Sequence, residues 1–382
     1  MPIGIVYTLG FAIALIVALI MTPLVKKFAF FVGAIDKPNH RKVHTRIMPR
    51  MGGLAIYLAL VVSFFCVIML IPEGTLLGKD LNLLKAVLVG GTIIIITGAF
   101  DDRFELSAKL KFVLQIIAAC VVVFGFDISI EFVSLPFGEN MQRINDWIGI
   151  PVTILWIVGV TNAINLIDGL DGLASGVSGI AIATILIMAI IMGFQPVILL
   201  STLLLGGIIG FLRYNFHPAK IFMGDSGSLF LGFCLAMLSL ISFKQITLVS
   251  FVIPLLIIGV PLSDTFFAII RRLVNKRPIF APDKGHLHHR LQDLGFSHRK
   301  TVLMIWGIAA IFGAMAIIQS AVMKFNGANW ITFAVVCIVI FFMQIGAEVI
   351  GIVDKSRRPL IGLLQKLGLK LGFVDSQSSR SE

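Results

Sequence analysis

Five aspartates fall in three short polar segments of an otherwise apolar chain. Asp101 and Asp102 end one hydrophobic run. Asp168 and Asp171 lie in Asn162-Ala-Ile-Asn165-Leu-Ile-Asp168-Gly169-Leu170-Asp171-Gly172, and Asp225 lies in Phe222-Met-Gly-Asp225-Ser-Gly-Ser228. Converging carboxylates repel unless something positive sits among them, and a divalent cation meets that need economically. Asp and Asn oxygens without a thiolate suit Mg²⁺ or Mn²⁺ rather than zinc. Because Mg²⁺ takes only one or two carboxylates, some of the five are expected to do other work. They could position a nucleophile, orient a lysine or hydrogen-bond a substrate. A lone Asp at a helix start is usually a cap, but five in three loops on one face point to chemistry. The pairs Asn162/Asn165 and Asp168/Asp171 have i,i+3 spacing and would share a face if the segment is helical.

The cationic counterpart is the 271–300 loop, with Asp283-Lys284-Gly-His286-Leu-His288-His289-Arg290. His-x-His-His has no carboxylate or thiolate companion at zinc spacing. Three imidazoles beside Lys284 and Arg290 suit a phosphate or diphosphate instead. The 36–53 loop is basic and restrained by Pro38 and Pro49, and its charges could serve phosphate binding or topology alone. Lys109 and Lys111 follow the aspartate pair closely enough to meet a lipid headgroup phosphate, or to snorkel. Asp264 stands inside an apolar run, a functional flag by default, although Arg271 and Arg272 could neutralise it.

The elements that must position these residues are membrane helices. Of 382 residues, 58% are hydrophobic and 13% charged, and the mean hydropathy is +1.01. No soluble chain of this size hides so much apolar surface. Runs near the roughly 20 residues needed to cross the hydrocarbon occur at 3–25, 51–71, 82–100, 109–126, 147–162, 173–193, 196–212, 227–243, 246–270, 302–323 and 328–353. The fold class is therefore an all-α polytopic membrane protein of about eleven transmembrane helices. Gly193 and Pro196 split what would otherwise be one overlong helix. The first run lacks a basic leader and a cleavage pattern, so it reads as a retained span. Of the 31 Lys and Arg, 26 fall on the side of the 26–50 loop. The positive-inside rule makes that side cytoplasmic and puts the N-terminus outside, the C-terminus inside. The net charge of +11 is thus topology, not a nucleic-acid footprint.

An alternating stretch at 127–146 with Pro136 and Gly138 predicts a small external β-hairpin. Residues 1–353 read as a single transmembrane catalytic domain. Residues 354–382 read as a cytoplasmic tail, with an amphipathic interfacial helix carrying Leu360, Leu363, Leu364, Leu367 and Leu371 and a disordered end. Cys66, Cys120, Cys234 and Cys337 read as small buried hydrophobes.

The Asp101-Asp102 pair, the Asn-x-x-Asn-x-x-Asp-Gly-x-Asp-Gly-Leu segment, Phe-Met-Gly-Asp225-Ser-Gly-Ser and His286-x-His-His together resemble the polyprenyl-phosphate N-acetylhexosamine-1-phosphate transferases. The likeness runs from Lys37 to the end of the eleventh span. His-x-His-His and eleven spans resemble the bacterial undecaprenyl-phosphate N-acetylglucosamine-1-phosphate transferase branch. The muramoyl-pentapeptide branch carries His-His-His-x-Glu, whereas Arg290 and Leu291 follow the histidines here.

The resemblance implies attack of a lipid phosphate oxygen on the β-phosphorus of UDP-N-acetylglucosamine. UMP would leave, and lipid-diphosphate-N-acetylglucosamine would remain in the membrane to start a cell-envelope glycan such as teichoic acid or lipopolysaccharide. It implies Asp225 as principal Mg²⁺ ligand with Asn165 as the second, and Asp101, Asp102 and Lys111 at the acceptor phosphate. Asp168, Gly169, Leu170 and Asp171 would line a uridine pocket, and His286, His288, His289 and Arg290 would hold the diphosphate or sugar. The implied partners are UDP-N-acetylglucosamine, undecaprenyl phosphate and membrane lipids, with no nucleic acid and a homodimer left open. The expected site is the cytoplasmic face of a bacterial inner membrane. The competing class is a secondary transporter, whose ionisable residues should lie near mid-membrane on broken helices. Here nearly all lie at one boundary.

Overall fold

The computed structural model describes residues 2–37, 47–130 apart from 73 and 77, 132–133, 142–243, 252–274, 276 and 285–326. The chain is mostly helical. In hydrocarbon every backbone polar group must be satisfied within its own segment, and a long apolar run has only the helix to do that. Among the described residues, seven helices are long and apolar enough to cross a membrane. They are α1 (Ile3–Val32), α3 (Gly78–Phe104), α4 (Ala108–Phe126), α5 (Asp146–Ile167), α6 (Leu173–Met192), α7 (Gln195–Asn215) and α12 (His298–Asn326). The shorter apolar helices α2 (Gly52–Ile68) and α8 (Gly224–Phe243) stand where two further spans were expected.

The run expected at 246–270 is interrupted. It divides into α9 (Val252–Ile257) and α10 (Gly259–Val274), because Pro261 lacks the N–H that the Ile257 carbonyl would accept. Gly193 ends α6 in the left-handed region at φ 77°, and Pro196 opens the first turn of α7, so that break falls where the sequence puts it. The segment holding Asn162 and Asn165 is helical but ends at Ile167. Asp168 and Asp171 therefore lie in the turn before α6, and their spacing does not put them on one helix face. The eleventh run, the tail, Cys337 and residues 134–141 lie outside the described residues. Within 127–146, β3 (Phe132–Val133) pairs antiparallel with β4 (Gln142–Arg143). Cys234 is buried, but Cys66 is exposed and Cys120 half-exposed. Apolar side chains on the outside of a membrane bundle meet lipid, so an apolar run does not imply an inward face.

Around α8 pack α2, α3, α5 and α6, while α7 joins α1 to α6 and α12 lies on α6. Phe230, Phe233 and Leu238 of α8 are fully buried. The short strands β1 (Ile35–Asp36) and β2 (Met48–Pro49) pair antiparallel. Beyond them, Pro49 accepts from the Phe222 amide at 2.9 Å, and the Gly52 and Gly53 amides donate to Phe222 and Met223, each at 3.0 Å. The chain after the 36–46 segment thus clasps the Phe-Met-Gly-Asp225 turn by its backbone.

Gly53 is small for a stated reason: a Cβ there would overlap the backbone of Gly227, in the first turn of α8. Gly53→Ala should therefore push α8 off α2. Overpacking of this kind costs about 1–3 kcal/mol. A lower melting temperature together with reduced activity is expected, since Asp225 moves with the turn. An alanine variant with wild-type values of both would show that the contact relaxes freely.

Candidate active site

The α3–α4 turn builds the first part of the site. Asp101 and Asp102 occupy the last turn of α3, and Ser107 opens α4 by accepting the Leu110 amide at 3.3 Å. Glu105 adopts a positive φ of 51° and its amide returns to the Asp101 carbonyl. This reversal carries Lys111 back over Asp101. Its ammonium donates to Asp101 Oδ2 at 3.2 Å and to Asp225 Oδ2 at 2.8 Å.

Asp102 has a different task. Its two oxygens accept the backbone amides of Asp225 at 2.8 Å and Ser226 at 3.1 Å, so it caps α8 from a neighbouring helix, where the dipole favours an anion. Gly224 reaches that contact at φ 71°, and a Cβ there would overlap the Asp102 carboxylate. Asn165 on α5 donates to Ser228 Oγ at 2.8 Å, which brings a third helix to the same end of α8.

Beside this cluster opens a cavity of about 420 Å³, lined by Asp102, Asp168, Gly169, Leu170, Asp171 and Asp225. Arg50, Asn215, His217, Phe222, His289 and His298 complete most of its wall. Asp171 Oδ2 meets His217 Nδ1 at 2.9 Å and accepts the Ala219 amide at 3.1 Å. Asn215 receives Ser175 Oγ at 2.8 Å and donates to the Ile221 carbonyl at 3.1 Å, fixing the chain that carries His217.

Asp168 sits among the other acids. Burial in the wall, then the charges of Asp225, Asp102 and Asp171, raise its pKa to about 8, against a small opposing pull from Arg50. The shift favours its protonated form near neutral pH. An unfolded chain releases this proton near pH 4, so between those values the native state binds more protons. Stability from this group therefore falls as pH rises through that window. Asp168→Asn should flatten part of the decline. Melting temperature at pH 5 and pH 8 checks it, and equal slopes in the two proteins would contradict it.

The histidine loop divides. His289 faces the cavity. His288 is 3% exposed, lies against Gly169 and packs on His289 with ring centroids 4.2 Å apart and planes tilted by 43°. Burial first, and the neighbouring His289 second, push its pKa down to about 3, so it is uncharged. His286 is buried on Asp264, Nδ1 to Oδ2 at 2.8 Å. Asp264 is thus met by a histidine. His286, His288 and Arg290 do not line the cavity.

The structure therefore brings together Asp101, Lys111, Asn165 and Asp225 at one end, and Asp102, the 168–171 turn and His289 around the adjoining space. Each of the five acids is held differently: Lys111 bridges Asp101 and Asp225, the start of α8 receives Asp102, His217 meets Asp171, and burial pushes Asp168 toward its protonated form. Sequence reasoning did not single out Asn215, His217, Phe222 or His298. The available signal was their position as polar or aromatic residues in loops on the same side as the aspartates.

A helical bundle with this acid-and-lysine cluster beside a polar cavity at one end defines a multi-pass membrane enzyme site. Residues 84–243 match the model of glycosyl transferase family 4. A probable undecaprenyl-phosphate N-acetylglucosaminyl 1-phosphate transferase of Bacillus subtilis is 46% identical over 359 residues, 94% of this chain and 96% of its own. A decaprenyl-phosphate N-acetylglucosaminephosphotransferase of Mycobacterium leprae is 38% identical, covering 80% of this chain and 82% of its own. A phospho-N-acetylmuramoyl-pentapeptide-transferase of Shouchella clausii is 31% identical, over 82% of this chain and 95% of its own. The chain belongs to the polyprenyl-phosphate N-acetylhexosamine-1-phosphate transferase family.

Proposed function

We propose that this protein transfers N-acetylglucosamine 1-phosphate from UDP-N-acetylglucosamine to undecaprenyl phosphate at the cytoplasmic membrane face. A lipid phosphate oxygen forms a bond to the β-phosphorus, the bond from that phosphorus to the bridging oxygen breaks, and UMP leaves with the bridging oxygen. A phosphate monoester is already largely ionised at neutral pH, so the acceptor needs orientation more than a base. The observation that carries the reading is the Lys111 bridge between Asp101 and Asp225, set beside the acid-walled cavity. Its volume falls within the range of small-ligand sites. Of the three relatives reported above, the two named for N-acetylglucosamine match more closely than the one named for the muramoyl-pentapeptide, which supports the donor assignment.

In this scheme Lys111 and Asp101 orient the acceptor phosphate, and Asp102 keeps α8 in register. Leu170, Asp171 and the neighbouring wall hold uridine, and His289 meets the diphosphate or sugar. The chain's donor set also fits Mg²⁺. Asp101 Oδ1 is buried without a hydrogen-bond partner, and Asn165 spends its amide nitrogen on Ser228 and keeps its carbonyl oxygen. Asp225 and Asn165 would hold the ion, with no thiolate or imidazole among the donors, as a hard cation requires. Bound there, it would neutralise charge developing on the diphosphate.

Release of UMP by purified protein, across a panel of UDP-sugars, tests the reading. It should require both lipid phosphate and a divalent cation and favour UDP-N-acetylglucosamine. Release without lipid would point to a hydrolase instead. Labelling of Ser297→Cys from the cytosolic side alone checks the face, and labelling from outside would invert the topology.

A further inference from the structure

We infer that Asp264 is a positioning residue that fixes where His289 stands in the cavity, acting through the backbone and ring of the preceding turn. Asp264 lies on α10, is 6% exposed and is not part of the cavity wall. Both its oxygens are committed to the histidine loop: Oδ2 to His286 Nδ1 at 2.8 Å, and Oδ1 to the Leu287 amide at 2.9 Å. The helix α11 (Leu287–Asp293) begins at these residues, and His286 makes no side-chain cap bond of its own. A carboxylate from another helix therefore supplies the cap that α11 lacks. It also selects one orientation of the His286 ring.

From there the placement runs in fixed steps. The His286 and His288 rings are nearly parallel, 8° apart, with centroids 6.0 Å apart. His288 is wedged against Gly169 in the cavity wall, and His289 packs on His288 with its ring tilted by 43° and lines the cavity. Arg271, seven residues and two turns along α10, lies where a Cβ on Gly285 would go, so the same helix face confines the loop just before His286. Buried partners with both hydrogen-bonding atoms used set geometry more tightly than exposed ones.

This inference rests on the assignment of His289 to the donor nucleotide-sugar. Calorimetric titration of the detergent-solubilised protein with UDP-N-acetylglucosamine, without lipid, separates the two. Absence of binding to wild type, with a competent fold, would remove the donor-site reading and this inference with it. Given wild-type binding, Asp264→Ala should weaken it about tenfold, the usual scale for leaving buried partners unpaired. The decisive measurement is the double-mutant cycle. If Asp264 acts through His289, then His289→Ala and the Asp264→Ala/His289→Ala double variant should bind alike, a non-additive result. Asp264→Asn keeps an acceptor for the Leu287 amide and guards against simple loss of fold. It should fall between Asp264→Ala and wild type. Additive losses, or wild-type affinity in both Asp264 variants despite a lowered melting temperature, would make Asp264 structural only and overturn the inference.

Discussion

Asp225→Asn is expected to slow UMP release by at least about a hundredfold, equivalent to roughly 2.7 kcal/mol of transition-state stabilisation. The substitution keeps the shape of the side chain and removes one charge. The fold should survive, because α8 is capped by Asp102 through the Asp225 and Ser226 amides rather than through the Asp225 carboxylate. The variant should purify in normal yield with a near-normal melting temperature. A variant retaining most activity at limiting Mg²⁺ would show that the ligand lies elsewhere, with Asp101 the next candidate because its buried Oδ1 has no hydrogen-bond partner.

Loss of Lys111 should be as damaging for a different reason. The ammonium is the counter-charge shared by Asp101 and Asp225. In Lys111→Ala two carboxylates face one another with nothing between them, and the acceptor phosphate loses its cation. A fall in turnover of about a hundredfold or more is expected, with the affinity for UDP-N-acetylglucosamine measured without lipid much less affected. Asp171→Ala should do the reverse. It strips the partner from His217 and the Ala219 amide and leaves uridine-facing groups unpaired, weakening nucleotide-sugar affinity by roughly ten- to a hundredfold. Unchanged affinity in Asp171→Ala together with abolished binding in Lys111→Ala would exchange the two assignments.

Much of this arrangement was legible in the residues alone. An apolar run in a bilayer has few alternatives, so helix positions followed from hydropathy, and the Gly193–Pro196 break followed from backbone chemistry. The convergence of Asp101, Asp102, Asp168, Asp171 and Asp225 followed from charge asymmetry between loops. The division of labour among them did not. Asp102 is a cap only because Gly224, at positive φ, lets the start of α8 approach α3. Asp168 is pushed toward its protonated form by burial first and by three neighbouring acids second, an arrangement that no spacing rule contains. The role of Lys111 as internal counter-ion depends on the reversal at Glu105. His217 was silent as a lone histidine in its loop and His298 because it stands apart from the His286-x-His-His cluster, and only packing of the α7–α8 connection against the start of α12 brings them to the cavity. The interruption between α9 and α10 was readable from Pro261, but the length of the apolar run masked it.

The fate of phosphorus tests the central claim most directly. UDP-N-acetylglucosamine labelled with ³²P at the β-position would be incubated with the purified protein, undecaprenyl phosphate and Mg²⁺, and the lipid extracted. Phosphoryl transfer predicts that the label moves into the lipid in equal amount with the sugar, while the UMP released is unlabelled. Sugar in the lipid with the label left behind in UDP would mean cleavage at the anomeric carbon, and a glycosyl rather than phosphoglycosyl transfer would contradict the account.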